Sequence, residues 1–189
     1  MLSEQRRHFD ALFSANDDPW NYHSTWREQR RFALMLAMLD QPRYASAFEP
    51  ACATAAFTVL LAERCALVEA CDGSAAAVQV ARRCTGHLDN VVVSCREIPR
   101  EWPDRTFDLV VLVDFLYYLT PAEVLATVRE AAVSRRNGGS LLVGHWQGTA
   151  HDFLTPPPDV HPLVQSVLGR SARHAYQDSD LILELWGPE

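Results

Sequence analysis

Apolar positions recur along the chain in two distinct periods. Near the start, Phe9, Leu12 and Phe13 fall at helical spacing within Leu2 to Asn16, which predicts a short amphipathic helix. Asp17-Asp18-Pro19-Trp20-Asn21-Tyr22 ends it, because proline and the residue before it both resist helix continuation. A second helix is predicted from about Thr25 to Leu39. Phe32, Leu34, Met35, Leu36, Met38 and Leu39 face its core side, and Arg27, Glu28, Gln29, Arg30 and Arg31 crowd its first half. That basic half reads either as a solvated surface or as a ligand-reaching one.

From Tyr44 onward the pattern changes to short apolar runs separated by helical stretches, which argues for a parallel sheet covered by helices on both faces. Strands are predicted at Tyr44–Glu49, Ala66–Cys71, Val91–Ser94, Phe107–Val113 and Ser140–Gly144. Helices are predicted at about Ala55–Cys65, from a Ser74 cap to Cys84, and from Pro121 to about Arg135. The last opens with Thr120 as N-cap, Pro121 at the first helical position and Glu123 at the third. Asn137-Gly138-Gly139 is a turn signal. Beyond a proline- and glycine-containing loop from Gln147 to Asp159, a helix at Pro162–Leu168 precedes two short strands, Arg173–Tyr176 and Asp180–Trp186. Their link, Gln177-Asp178-Ser179, is too short for a parallel crossover, so they pair as an antiparallel hairpin.

Composition narrows the function class. A chain of 189 residues fits a single domain with a substantial core. Its 17 basic and 24 acidic residues give a net charge of −7, and the basic residues are scattered, so nucleic acid is not an expected partner. No apolar run is long enough to span a membrane, and the polar first ten residues do not resemble a secretory leader, so a cytoplasmic location is expected. The five cysteines, Cys52, Cys65, Cys71, Cys84 and Cys95, lack zinc-site spacing and read as buried small apolar residues, with Cys52 alone in a candidate ligand loop.

In an open α/β sheet, ligands bind beyond the carboxyl ends of the strands. Each of the first five predicted strand ends carries a candidate group. Glu49 closes the first strand ahead of Pro50-Ala51-Cys52-Ala53-Thr54-Ala55, a tight small-residue loop feeding a helix, which is the shape of a nucleotide-cofactor loop. Alanine stands at 51, 53 and 55, where such loops usually carry glycine. Asp72, before Gly73, follows the second strand and can accept from ribose hydroxyls or cap the next helix. Arg96-Glu97-Ile98 follows the third strand, Asp114 and Tyr117-Tyr118 the fourth, and His145-Trp146 the fifth.

These features, together with Asp18-Pro19-Trp20, Glu28-Gln29-Arg30-Arg31-Phe32, Trp102-Pro103 and the closing hairpin, resemble class I S-adenosylmethionine-dependent methyltransferases, and within them the nodulation protein S group. The resemblance spans about residues 9 to 186. It implies an α/β Rossmann-like fold with a mostly parallel seven-stranded sheet, a C-terminal antiparallel hairpin and N-terminal lid helices formed by residues 1–40. S-adenosyl-L-methionine is the implied cofactor. Glu49, Ala51, Cys52, Ala53, Asp72, Gly73, Glu97, Ile98 and Val113 would line it, and Arg31 of the lid would reach its carboxylate. Ala51 and Ala55 depart from two glycines that the group's motif retains. The group's named member N-methylates a deacetylated chitooligosaccharide amine, so a small-molecule acceptor is implied.

Methyl transfer asks little beyond placing an acceptor lone pair in line with the methyl, plus a base where the acceptor arrives protonated. Asp114 and His145 are the candidates for that chemistry, and Trp20, Tyr22, Tyr118 and Trp146 are candidate acceptor walls or ordinary core aromatics. Transfer to nitrogen is expected ahead of oxygen, in a monomer or homodimer. Two other readings are a degenerate methyltransferase fold kept as a binding or regulatory protein, and a nicotinamide-dependent oxidoreductase. Left-handed backbone at Ala51 and Ala55 would weaken cofactor binding, whereas negative φ would alter only contact distances.

Overall fold

The computed structural model describes residues 3–187, so Leu2, where the first helix was expected to begin, lies outside the described residues. In chain order it holds α1 (Ser3–Ala15), α2 (Trp26–Met38), β1 (Tyr44–Pro50), α3 (Ala56–Arg64), β2 (Cys65–Asp72), α4 (Ala75–Thr85), β3 (Val91–Cys95), β4 (Phe107–Val113), a 3-10 turn at Leu116–Tyr118, α5 (Pro121–Ser134), β5 (Arg135–Trp146), α6 (Pro157–Leu168), β6 (His174–Gln177) and β7 (Leu181–Trp186). The seven strands form a mostly parallel sheet in the order β3-β2-β1-β4-β5-β7-β6, with β7 antiparallel to β5 and β6. The expected α/β fold is therefore the one observed.

The chain divides into two compact units, one up to Glu101 and one from Trp102 onward. In the first, β1, β2 and β3 pair in parallel, α3 packs on β1 and β2, and α4 packs on β2 and β3. The N-terminal helices belong here too: α1 lies on α4 and α2 on α3. An aromatic ladder joins them, running from Phe9 and Phe13 through Trp20, Tyr22 and Phe32 to Phe57, with ring centroids 5.4–6.4 Å apart. Such pairs add stabilisation beyond the area they bury. Asp18 shapes the link between the two helices by accepting from the Tyr22 and His23 amides at 2.9 and 3.1 Å.

In the second unit β4 and β5 pair in parallel and α5 packs on β5 and α6. Leu109, Val110, Val111 and Leu112 of β4 are completely buried, which explains its nearly unbroken apolar sequence. The capping box forms as expected: the Glu123 amide donates to Thr120 Oγ1 at 3.3 Å, and the Thr120 amide donates to Glu123 Oε2 at 3.0 Å. Asp178 accepts from the Asp180 and Leu181 amides, both at 2.9 Å, and so holds the hairpin turn.

Three expectations change. Strand β5 is longer than Ser140–Gly144, because its register with β4 skips from Phe107↔Arg135 to Leu109↔Ser140 and absorbs the Asn137-Gly138-Gly139 signal as an irregularity, with Gly138 at φ 84°. Helix α6 starts at Pro157, five residues early, since its first positions tolerate proline, which lacks an N–H that would go unused there. Of the cysteines only Cys52, Cys65 and Cys71 are buried; Cys84 is half-buried near the end of α4, and Cys95, ending the edge strand β3, is exposed.

Truncating Leu112 to alanine should remove buried contacts on β4 and leave a cavity, lowering unfolding free energy by about 2–5 kcal/mol in urea titration. Thr120→Ala, which loses one capping bond, should cost about 1 kcal/mol in the same assay.

Candidate functional site

The register of the first unit places three chemical groups at neighbouring strand ends. Glu49 pairs with Ala70, Pro50 with Cys71, and Asp72 with Cys95, two residues before Glu97. Between them runs the alanine loop, and its backbone answers the question left by the sequence: Ala51, Ala53 and Ala55 all adopt positive φ, at 55°, 49° and 63°. Each left-handed alanine costs about 1–2 kcal/mol against a right-handed one, because its Cβ crowds the neighbouring carbonyl. Ala53, which the sequence alone did not mark as a further departure, is strained like the other two.

Hydrogen bonds to the protein's own oxygens hold the loop in this shape. The Cys52 amide donates to the Cys71 carbonyl at 2.9 Å and the Ala55 amide to the Cys52 carbonyl at 2.7 Å. The Ala53 amide donates to Asp72 Oδ2 at 3.0 Å, and the Ser74 amide donates to Asp72 Oδ1 at 2.8 Å. Asp72 is thus both the acid at the end of β2 and the clamp joining the loop to the start of α4. Ser74 also caps α4 by accepting from the Ala77 amide at 3.2 Å, and its hydroxyl donates to Asp10 of α1 at 2.6 Å.

Both strand-end acids are buried, and burial raises their pKa values: Glu49 to about 7, against a lowering bond from Thr58, and Asp72 to about 6, against lowering bonds from Ser74 and Ala53. The Thr58 hydroxyl donates to Glu49 Oε2 at 2.6 Å. Burial, followed by the nearby Asp72 and Glu49 charges, pushes the Cys52 thiol well up, so it is no nucleophile. Glu97 is partly exposed, ion-paired with Arg100 at 3.3 Å, while its amide donates to Glu101 Oε2 at 2.6 Å; Ile98 beside it is buried.

The basic half of α2 is not a solvated face throughout. Arg31 and Glu28 are both buried and paired at 2.7 Å, with Arg27 on the other Glu28 oxygen at 3.4 Å. A buried pair one turn apart commits the guanidinium in part to its own helix.

The second unit holds the other candidates. Asp114 follows β4 at φ 55°, a conformation tolerated by aspartate. Its Oδ1 accepts from the Trp146 amide at 2.8 Å and the Tyr117 hydroxyl at 3.4 Å. Val113, half-buried, pairs with Gly144, where a Cβ would come within 2.4 Å of Leu183. Trp146 is pinned by its indole N–H to Asp180 at 3.0 Å, and its ring occupies the space a side chain at Gly148 would fill. Tyr118 packs edge-on against Tyr117 and Phe153; burial, then Asp152 and Asp114, drive its pKa up, so it stays a neutral phenol.

His145 is completely buried, with Nδ1 3.1 Å from Nε2 of His161, whose Nδ1 meets Glu184. The four expected wall aromatics fall into two groups, Trp20 and Tyr22 in the ladder of the first unit and Tyr118 and Trp146 beside Asp114. Sequence reasoning named Glu28 without its role and missed Asp10, His161 and Glu184, which meet their partners only through folding. The one local signal was the three-residue spacing of Glu28 and Arg31, which places both on one face of α2.

The family model described as "Nodulation protein S (NodS)" matches residues 7–147. This chain belongs to the nodulation protein S family. It is 36% identical over 132 residues to nodulation protein S of Bradyrhizobium diazoefficiens, covering 69% of this chain and 63% of that relative, so the match spans under two thirds of the relative's length. Among solved structures, a Pseudomonas syringae protein named as a candidate methyltransferase is 31% identical, with a TM-score of 0.75 over 86% of this chain and 99% of that one. The N-methyltransferase NodS from Bradyrhizobium japonicum WM9, solved with S-adenosyl-L-homocysteine, shares the fold at a TM-score of 0.82 and 22% identity over 97% and 98% of the two chains. Membership in this family agrees with the resemblance carried by the motifs.

Two consequences are measurable. Replacing Ala51, Ala53 and Ala55 by glycine should raise stability by up to about 1 kcal/mol per site, since relief of left-handed strain exceeds glycine's added unfolded-state entropy. The raised acids set a pH slope. Glu49 and Asp72 hold their protons more tightly folded than unfolded, so they favour folding below about pH 4. That contribution is lost as pH rises through about 6 to 7. In urea melts at pH 4.5 and 7.5, Glu49→Gln should flatten the decline by on the order of 3 kcal/mol.

Proposed function

We propose that this chain is a methyltransferase that uses S-adenosyl-L-methionine to methylate a nitrogen of a small molecule, with oxygen the lesser alternative and an amino sugar or oligosaccharide the acceptor class. The single observation that carries this is the loop clamped by Asp72. Its Cys52, Ala53 and Ala55 amides are committed to protein oxygens, and a buried carboxylate stands at its mouth. A cofactor without phosphates fits such a loop. A dinucleotide would instead need free amides to cradle its pyrophosphate and would meet the repulsion of Asp72, which disfavours the oxidoreductase reading.

When bound, the cofactor supplies an electrophilic sulfonium methyl. The protein's work is then placement. Asp72 and Gly73 take the ribose side, Glu97 and Ile98 the adenine side, and Glu49, Ala51, Cys52, Ala53 and Val113 the body of the ligand. Arg31 faces the carboxylate end, sharing its charge with Glu28. Asp114, its carboxylate aimed by the Trp146 amide and the Tyr117 hydroxyl, holds the acceptor's N–H or O–H so that its lone pair is oriented. His145 takes the proton that an amine gives up. Trp20, Tyr22, Tyr118 and Trp146 supply aromatic walls of the kind that suit sugar faces. A cytoplasmic monomer or homodimer acting on a free small molecule completes this reading.

A second reading, a binding or regulatory protein with a weakened cofactor site, is favoured by one observation: the three left-handed alanines hold strain that glycine would not. Calorimetry with S-adenosylhomocysteine separates the two. The enzyme reading expects saturable binding below millimolar concentration and a drop of about 10- to 100-fold in affinity for Asp72→Asn, the equivalent of one charged hydrogen bond. No binding at millimolar ligand by the parent chain, restored by the triple glycine variant, would select the second reading. Asp114→Asn should leave S-adenosylhomocysteine affinity within twofold and lower methyl transfer at least tenfold.

A further inference from the structure

Three elements of the second unit bring together a chain of titratable groups from distant positions. Glu184 lies on β7, His161 on α6 and His145 on β5. Both imidazoles are buried, their rings nearly perpendicular at 87° with centroids 5.1 Å apart, whereas the Glu184 side chain keeps 22% of its surface open to water. The groups facing this chain are Tyr117, whose ring meets His145 edge-on at 5.4 Å, and Asp114, which accepts the Tyr117 hydroxyl.

Donor and acceptor rules fix the hydrogens. An ionised carboxylate only accepts, so His161 Nδ1 must carry a hydrogen toward Glu184. A neutral His161 then offers Nε2 as an acceptor, and its neighbour His145 must donate from Nδ1 across the 3.1 Å contact. The lone pair of His145 is left on Nε2. Glu184 therefore dictates, through two rings, which atom of His145 is basic, much as a buried acid selects the working tautomer of a catalytic imidazole.

We propose that His161 and Glu184 are positioning residues that hold His145 as the Nδ1–H tautomer and stabilise the imidazolium formed when an amine acceptor gives up its proton. The inference rests on the reading above, in which His145 takes that proton. The balance is simple. The acceptor nitrogen gives one proton to His145 Nε2, the Nδ1 hydrogen stays in the bond to His161 Nε2, the imidazolium charge is offset through His161 by Glu184, and Nε2 yields the proton to water as product leaves, which restores the starting tautomer. No electrons change hands and no further reactant is needed.

Nitrogen-15 NMR of the histidine rings tests the tautomer without turnover. At pH 7.5 the parent chain should show His145 protonated on Nδ1 and bare on Nε2, and Glu184→Gln should abolish that preference. A His145 protonated on Nε2 in the parent chain overturns the proposal. The kinetic arm uses a chitooligosaccharide with one free amine. Glu184→Gln should lower kcat about tenfold and move the acidic limb of its pH profile to lower pH, because removing the carboxylate makes the imidazole pair a weaker base. S-adenosylhomocysteine affinity should stay within twofold. A merely structural Glu184 would lower the melting temperature and leave the limb in place, which also overturns the proposal. His161→Phe should reduce kcat to a similar extent, with no further loss when Glu184→Gln is added; should it not fold, the conservative glutamine variant carries the test. If the parent chain binds S-adenosylhomocysteine but leaves the amine unmethylated, the acceptor reading fails, and the NMR result still decides the tautomer.

Discussion

The two oxygens of Asp72 hold together what the rest of the first unit is built to present. One accepts the Ala53 amide and the other the Ser74 amide, so a single side chain ties the turn after β1 to the start of α4. The loop it clamps would otherwise relax, since three of its residues occupy a backbone region that L-amino acids avoid. Burying that carboxylate disfavours its charged form, and only its amide partners keep the cost bearable. Around this clamp the other parts find their places: Ser74 caps α4 and reaches Asp10 of α1, and the aromatic ladder joins α1, α2 and α3. Strain in the loop and burial of the acid are two sides of one arrangement, which is common where a backbone must approach a ligand closely.

The second unit uses the same means for a different end. Asp114 is fixed by an amide from β5 and a phenol from the 3-10 turn, Trp146 by Asp180, and His145 by His161 and Glu184. Each candidate side chain is thus restrained by a partner distant in sequence, which lowers the entropy lost when an acceptor is ordered against it. The particular couplings, such as the two histidines in series, are read from this chain's own packing.

Much of this architecture was legible beforehand. The alternation of apolar strands and helices, the Thr120–Glu123 cap and the short link in the terminal hairpin are local signals, and local signals survive tertiary packing when they agree with it. Where they failed, a local preference was outweighed. The Asn137-Gly138-Gly139 signal was absorbed into β5 because pairing with β4 continued around it, and Pro157 and Pro158 opened α6 early because the first turn needs no amide donors. The Arg27–Arg31 cluster looked uniformly polar, yet Glu28 and Arg31 turned inward as a pair.

What the sequence by itself determined is the order of elements and the family they mark, because periodicity and turn chemistry act over a few neighbouring positions; the residue that closes β1, β2 and β5 lies one or two positions beyond the one expected. Tertiary structure alone decided the sign of φ at Ala51, Ala53 and Ala55. Alanine favours a negative φ in isolation, and only hydrogen bonds to Cys71 and Asp72, some 20 residues along the chain, hold the loop in the other hand. It also decided that His145, named by its place at a strand end, would lie buried against His161 and behind it Glu184. Those partners stand 16 and 39 positions away, beyond the reach of any local pattern.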